Sequence, residues 1–412
     1  MSGMLGGDRV ALGEFGPVAL RRSGRAAAFL ICLLLAACSS RPENGALIVN
    51  NTPSENAQVQ DILIVTTRQR DNRPNTYFNG ERASEADYAK ASISVPASHQ
   101  NGIVEWPSSL PGNPDKEFVT RSAEFIPGRE AMLDELNQRL MKLPKGERSV
   151  FVFIHGYNTL FAEGLYRFAQ IAHDSDYGGV PVLFTWASRG DLTDYVYDLN
   201  SAMSARSALE QTVEDLARSK AERIFILAHS MGNMLLMETA RQITPEQRRK
   251  LAPKLDQVVL AAPDIDIDVF KEQLRAIKGS GGSPQKPFII FVSQDDRALR
   301  LSKRIAGGKS RVGAYEDDRE LAELGAIVVN LTDLDSLDSA NHAKFAQVGR
   351  LSPEIRNVLK QRELQAGGPE QTGQLSQAGQ DLGTFVASTA QVAITLPVTL
   401  ITAPIALATG GL

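Results

Sequence analysis

The chain has 412 residues, 43% of them hydrophobic and 22% charged, which suits one large globular α/β domain with extensions. A net charge of −4 leaves no polyanion-binding footprint and argues against nucleic acid as a partner. Both cysteines, Cys32 and Cys38, lie near the start, so the body beyond them can hold neither a disulfide nor a cysteine-based zinc site, and imidazole chemistry must draw on His99, His155, His173, His229 or His342.

Arg21, Arg22 and Arg25 precede an apolar run over 26–37, the charge and length pattern of a secretory signal. The run is short for a permanent membrane span. It ends in Leu35-Ala36-Ala37-Cys38, which resembles the bacterial lipobox, where small residues precede a cysteine that becomes the lipidated N-terminus. On that reading Cys32 is removed and Cys38 carries the lipid. Ser39 after the cysteine, by resemblance to Gram-negative lipoproteins, implies an outer-membrane protein facing the periplasm. The segment 39–60 is polar, with Pro, Asn, Ser and Gly, and reads as a tether.

Strand-like runs follow at 61–66, 92–96, 149–155, 180–186, 223–228, 257–262, 288–293 and 326–331. Most are continuous Val, Ile, Leu and Phe rather than alternating, which marks strands buried on both faces of a parallel sheet. Helical spacing fills the gaps at 130–143, 205–217 and 231–243. The alternation predicts βαβ units in a mostly parallel, eight-stranded sheet flanked by helices.

The most informative stretch is Ala228-His229-Ser230-Met231-Gly232-Asn233. An apolar strand ends, a serine follows, and an amphipathic helix begins: the arrangement of a nucleophile elbow, with alanine at the first small position. The turn exposes the Ser230 hydroxyl and offers the backbone N–H of Met231 to a developing oxyanion. Serine needs a base. In this architecture the order is serine, acid, histidine, and His342 is the one histidine downstream. The acid should follow the 288–293 strand. Asp296 is the choice and Asp295 its immediate rival; Asp264, Asp266 and Asp268 are outside alternatives that also suit helix capping. The strand at 151–154 ends in His155-Gly156-Tyr157-Asn158, a loop expected to approach the nucleophile and to supply the backbone N–H of Tyr157 as second oxyanion donor. His155 and His229 then read as structural, His173 lies in a helical stretch without an assigned role, and His99 falls outside the expected core.

These motifs, with Ile64-Val-Thr-Thr-Arg68, Phe78-Asn-Gly-Glu-Arg82, Phe184-Thr-Trp-Ala-Ser-Arg-Gly190, Asp194-Tyr-Val-Tyr-Asp198 and Ala262-Pro-Asp-Ile-Asp266, resemble a bacterial α/β-hydrolase family of the esterase/lipase superfamily whose biological role is unknown. The resemblance spans about 61–350 and departs from the pattern at Ala187, where the family usually has proline. It implies the α/β-hydrolase fold and the triad Ser230, Asp296 and His342. The expected organisation is a signal peptide with lipobox (1–38), tether (39–60), α/β-hydrolase domain (61–350), helical or linker segment (351–381) and uncharged apolar tail (382–412).

The expected chemistry is hydrolysis of a carboxylic or lipid ester through an acyl-enzyme. Amide or peptide hydrolysis by the same triad and a non-catalytic envelope scaffold are the competing functions. No phosphate loop, metal-ligand cluster or dinucleotide motif is visible in the sequence, so no cofactor and no metal is expected. Arg297, Arg300, Lys303, Arg304, Lys309 and Arg311 form a basic stretch that reads as a solvated helix face, or alternatively as an attractor for anionic substrate. The tail, interrupted by Pro397 and Pro404, is expected either to contact the membrane or to fold back onto the body.

Overall fold

The computed structural model describes residues 45–279 and 287–347, together with the backbone of 385–386 and 393–395. The strands are β1 (Gln58–Arg70), β2 (Phe78–Val95), β3 (Val119–Ile126), β4 (Ser149–Ile154), β5 (Val180–Thr185), β6 (Arg223–His229), β7 (Leu255–Ala261), β8 (Ile289–Val292), β9 (Ile327–Asn330), β10 (Phe385–Val386) and β11 (Ala393–Thr395). They form one sheet in the order β10-β11-β9-β8-β7-β6-β4-β5-β1-β2-β3. Every pairing from β1 through β5, β4, β6, β7 and β8 to β9 is parallel. β2 and β3 continue one edge antiparallel, and β11 closes on β9 antiparallel at the other.

The helices are α1 (Arg129–Lys142), α2 (Phe161–Asp174), α3 (Tyr195–Ser204), α4 (Arg206–Arg218), α5 (Met231–Gln242), α6 (Pro245–Leu251), α7 (Ile267–Gly279), α8 (Arg297–Ile305) and α9 (Asp318–Glu323). β4 shows why its sequence is continuously apolar. Val150, Val152 and Ile154 point into a core shared with α1, α4, α5 and α7, while Phe151 and Phe153 point into a second core dominated by α2. The side-chain period of two therefore puts an apolar residue in a core at every position. Phe168 of α2 lies 5.2 Å from the Phe151 ring and 5.4 Å from the Phe153 ring. Each such ring contributes about 1.5–3 kcal/mol by leaving water.

Two expectations need correction. The first is strand number: nine strands lie between Gln58 and Asn330, because β3 is present beside the eight expected runs, and β2 is also longer than expected at 18 residues. β3 and the first part of β2 have solvent-facing stretches with polar sequence, so the apolar-run criterion finds only the 92–96 end of β2 and passes over β3. The second is the tether. From residue 45 onward it belongs to the body: Ala46 and Leu47 are buried in the α2-side core, and the Asn50 N–H donates to the Thr120 carbonyl. Burial of the Ala46-Leu47 pair outweighs the polar composition around it. Segments 1–44 and 351–381 lie outside the described residues, as does the tail apart from β10 and β11. No helix among the described residues is long and apolar enough to cross a membrane.

Candidate active site

Ser230 sits between β6 and α5 at φ 53°, ψ −122°, a strained conformation of the kind a nucleophile elbow imposes. Its carbonyl is held three ways: by the N–H groups of Asn233 and Asp264 and by Asn233 Nδ2 (3.1 Å). The same amide also donates to the Ala261 carbonyl at 2.9 Å, so Asn233 ties the elbow to β7. Gly232 lies against the end of β4; a Cβ there would fall 2.4 Å from the His155 carbonyl oxygen. The small-residue requirement at this position is therefore backbone contact, not flexibility. Met231 is the first residue of α5, so its N–H has no intrahelical acceptor.

The loop after β4 passes against Ser230. A Cβ on Gly156 would fall 2.8 Å from Ser230 Cβ. His155 fixes this loop. The Trp186 N–H reaches its Nε2 at 3.2 Å, which makes that nitrogen an acceptor and puts the proton on Nδ1. Nδ1 then donates to the Gly156 carbonyl at 2.8 Å. That carbonyl shares a planar, trans peptide unit with the Tyr157 N–H, so pinning one end sets the direction of the other. Burial, reinforced by the nearby Arg68 charge, pushes the His155 pKa down to about 3 and keeps the ring neutral.

Arg68 supports the loop from below. Irregularities in the β1–β2 register flank it on both sides, and it turns into the interior, 1% exposed. Its guanidinium donates to the carbonyls of Thr159 (2.7 Å) and Ser188 (2.8 Å) and to Thr185 Oγ1 (2.9 Å). Thr185 Oγ1 in turn donates to His155 Nε2 at 2.9 Å. Asp198, fully buried, accepts from the Asn158 and Arg189 N–H groups and from Ser188 Oγ. Burial lowers the Arg68 pKa to about 10 and raises that of Asp198, and each charge partly offsets the cost of the other.

Asp296 and His342 meet. His342 Nδ1 donates to Asp296 Oδ2 at 2.6 Å, and Asp296 Oδ1 caps α8 by accepting from the Leu299 N–H at 2.9 Å. Burial disfavours the charged ring, but the carboxylate charge and its hydrogen bond outweigh this and raise the His342 pKa. His229, next to Ser230, packs against His342 with ring centroids 4.5 Å apart, and its Nε2 donates to the His342 carbonyl at 3.3 Å. Burial and the neighbouring His342 hold the His229 pKa well below the usual value, so this ring is neutral. His342 makes its hydrogen bonds to Asp296, Asp338 and His229; none goes to Ser230 among the described residues.

The rival acids have other partners. Asp295 accepts from Lys344 Nζ at 2.8 and 2.9 Å and from Asn341 Nδ2 at 2.6 Å, so it anchors the loop that carries His342. Asp264 accepts from Tyr195 and Ser302 and pairs with Arg311. Asp266 and Asp268 sit at the start of α7, where Asp266 Oδ1 accepts from the Asp268 N–H. Within the basic stretch, Lys309 pairs with Asp268, and Lys303 donates to Ser310 Oγ. Arg68, Asp198, Asn233 and Lys344 are the supporting residues for which sequence reasoning assigned no role.

Fold and site together define an α/β-hydrolase. Residues 129–362, more than half of the chain, match the family described as alpha/beta hydrolase of unknown function (DUF900), and the chain belongs to that family. No curated protein matches the sequence. Among solved structures, an esterase B from Lactobacillus rhamnosis, inhibited by a tributyrin phosphonate, is 10% identical with a TM-score of 0.33, over 86% of this chain and 100% of that one. One of two fungal esterases from Rhizomucor miehei is 10% identical with a TM-score of 0.33, over 76% and 87%. A thermostable esterase from Pseudomonas putida ECU1011 is 13% identical with a TM-score of 0.30, over 76% and 84%. Likenesses this distant say nothing about substrate.

Proposed function

We propose that this protein is a serine hydrolase that cleaves carboxylic or lipid esters through Ser230, His342 and Asp296. The single observation that carries the reading is the 2.6 Å Asp296–His342 contact, with His342 packed on His229, the residue that precedes a serine held in a strained turn at a helix start. His342 Nε2 takes the Ser230 proton as Oγ attacks the ester carbonyl; the backbone N–H groups of Met231 and Tyr157 receive the oxyanion. The imidazolium returns the proton to the leaving alcohol, and water resolves the acyl-enzyme by the same steps. The further reading is that Cys38 carries a lipid and holds the enzyme at the bacterial envelope.

A fluorophosphonate probe and short-chain acyl esters test the assignment. Labelling and turnover are expected, with labelling abolished in Ser230→Ala and turnover reduced by about 10³-fold or more in Ser230→Ala and His342→Ala. Well-folded protein that neither labels nor turns over esters would point to a scaffold. Labelling with turnover of amides but not esters would point to an amidase.

A further inference from the structure

Away from the elbow, the C-terminal end of α2 faces the loop after β2. One ligand atom from each of His99, His173 and Asp174 lies within 4.8 Å of the other two. We infer that these three residues form a divalent transition-metal site, with zinc the ion that two imidazoles and a carboxylate suit best.

The cluster is organised beyond the three ligands. His99 Nδ1 lies 2.7 Å from Glu105 Oε2, and its Nε2 lies 2.8 Å from Asp174 Oδ1. Glu105 is itself fixed, because its other oxygen accepts from the Gln100 N–H at 2.8 Å. Asp174 Oδ2 accepts from the Gly102 N–H and from Gln170 Nε2, both at 2.6 Å, which leaves Oδ1 facing His99. A carboxylate on one imidazole nitrogen with the metal on the other is the arrangement that orients histidine ligands.

His173 supplies the decisive detail. Its ring centroid is 5.2 Å from that of His99, and its Nδ1 is buried with no hydrogen-bond partner among the described residues. Buried imidazole nitrogens ordinarily find partners, and an orphaned one calls for a specific reason. A cation-only account of this site, with His99 as an imidazolium clasped by two carboxylates, satisfies His99 but leaves His173 Nδ1 without a function. A tetrahedral ion with bonds of about 2 Å spaces its ligands roughly 3.3 Å apart. Seating it requires the loss of the His99 Nε2 proton and a small opening of the His99–Asp174 contact. Water would complete the coordination.

The location gives the site a structural consequence. Gln170, which holds Asp174, also donates to the Ala346 carbonyl at 3.2 Å, in the short helical turn Lys344–Gln347 that follows His342. A bound ion would brace the loop after β2, the end of α2 and the segment that carries the base. The ligands are scattered at 99, 173 and 174, so no sequence spacing announces them.

The test uses the full chain, stripped with chelator, re-equilibrated with zinc and desalted, followed by metal analysis and thermal melting. One zinc per chain is expected, with a higher melting midpoint than the stripped protein. His173→Ala and Asp174→Asn should abolish retention, and Glu105→Gln should weaken binding by about 10-fold or more. Far-UV circular dichroism of His173→Ala should match the wild type, so that loss of zinc reports the site and not unfolding. If the wild-type protein retains no zinc, or if folded His173→Ala retains it as tightly as wild type, the site is refuted. Should His173→Ala fail to fold, unweakened zinc affinity in Glu105→Gln would refute it equally.

Discussion

Asp296 divides its carboxylate between two tasks: Oδ2 receives the His342 Nδ1 proton and Oδ1 caps α8 through the Leu299 N–H. Asp296→Asn should therefore lower kcat by about 10³-fold or more, because the amide stabilises the wrong tautomer and carries no charge for the imidazolium. Its effect on stability should be small, about 1 kcal/mol or less, because asparagine is an equally good cap. Asp295→Asn should give the opposite balance. It weakens the Lys344 contact and with it the seating of the His342 loop, so it should cost stability and only modest activity. Steady-state kinetics and chemical denaturation of both variants check this. A severe kinetic loss in Asp295→Asn with a mild one in Asp296→Asn would reverse the acid assignment.

The raised pKa of His342 gives the activity a direction with pH. The base must be neutral to accept a proton, so kcat/KM should fall on the acid side. The midpoint of that fall should lie above the ordinary histidine value of about 6.5. Asp296→Asn should move the residual midpoint downward, since it removes the charge that favours imidazolium. The stability linkage runs the other way. A group whose pKa rises on folding contributes stability fully below its unfolded pKa and loses it as pH climbs through the folded value. The pH profile of kcat/KM in both proteins measures the shift, and an unchanged midpoint in the variant would show that Asp296 does not set it.

The parts legible in the sequence are those whose physics is local. The elbow at Ala228–Asn233 can be read because strand, small residue, serine and helix are contiguous, and β4 because burial on both faces leaves no polar position. Position 342 emerges by elimination, from the scarcity of histidine. The choice between Asp295 and Asp296 is harder, since neighbouring side chains leave the chain in different directions and only the packed loop shows which meets the ring. Arg68 is beyond such reading. Its partners Thr185 and Ser188 lie 117 and 120 residues away, and its inward turn depends on the β1–β2 irregularity. Lys344 is similar: a lysine in a polar loop gives no sign that it will be 2% exposed on two carbonyls and a carboxylate.

Arg68 offers a test of how the loop after β4, proposed to supply an oxyanion donor, is held. Arg68→Ala would strip donors from the carbonyls of Thr159 and Ser188 and leave Asp198 buried without the opposing charge. A loss of about 3 kcal/mol or more is expected, with a lower melting midpoint. Arg68→Lys keeps the charge but not the fork, so it should fold better and still seat the loop poorly. In Arg68→Lys the kinetic loss should fall mainly in kcat, because the oxyanion contact strengthens in the transition state. A variant with wild-type kcat and reduced stability would confine Arg68 to a structural role.

The C-terminal strands make a prediction about solubility. β11 pairs antiparallel with β9, with Ala393, Ile394 and Thr395 opposite Asn330, Val329 and Val328, and β10 pairs with β11 outside it. Without them β9, whose sequence is Ile-Val-Val-Asn, would be an open edge of β-branched residues, the kind of surface that recruits further strands. Truncation after Gln380, made in a Cys38→Ser background, separates this from lipid anchoring. The full-length Cys38→Ser protein should leave the membrane fraction and run as a single species by light scattering. The truncated form should associate in a concentration-dependent manner while retaining fluorophosphonate labelling at low concentration, since Ser230 lies at the end of β6, with β7 and β8 between it and β9. Membrane retention of the full-length Cys38→Ser protein that disappears on truncation would instead assign the tail to the bilayer. Identical monodisperse behaviour of both forms would mean that β9 does not need its cover, and that the pairing contributes little to solubility.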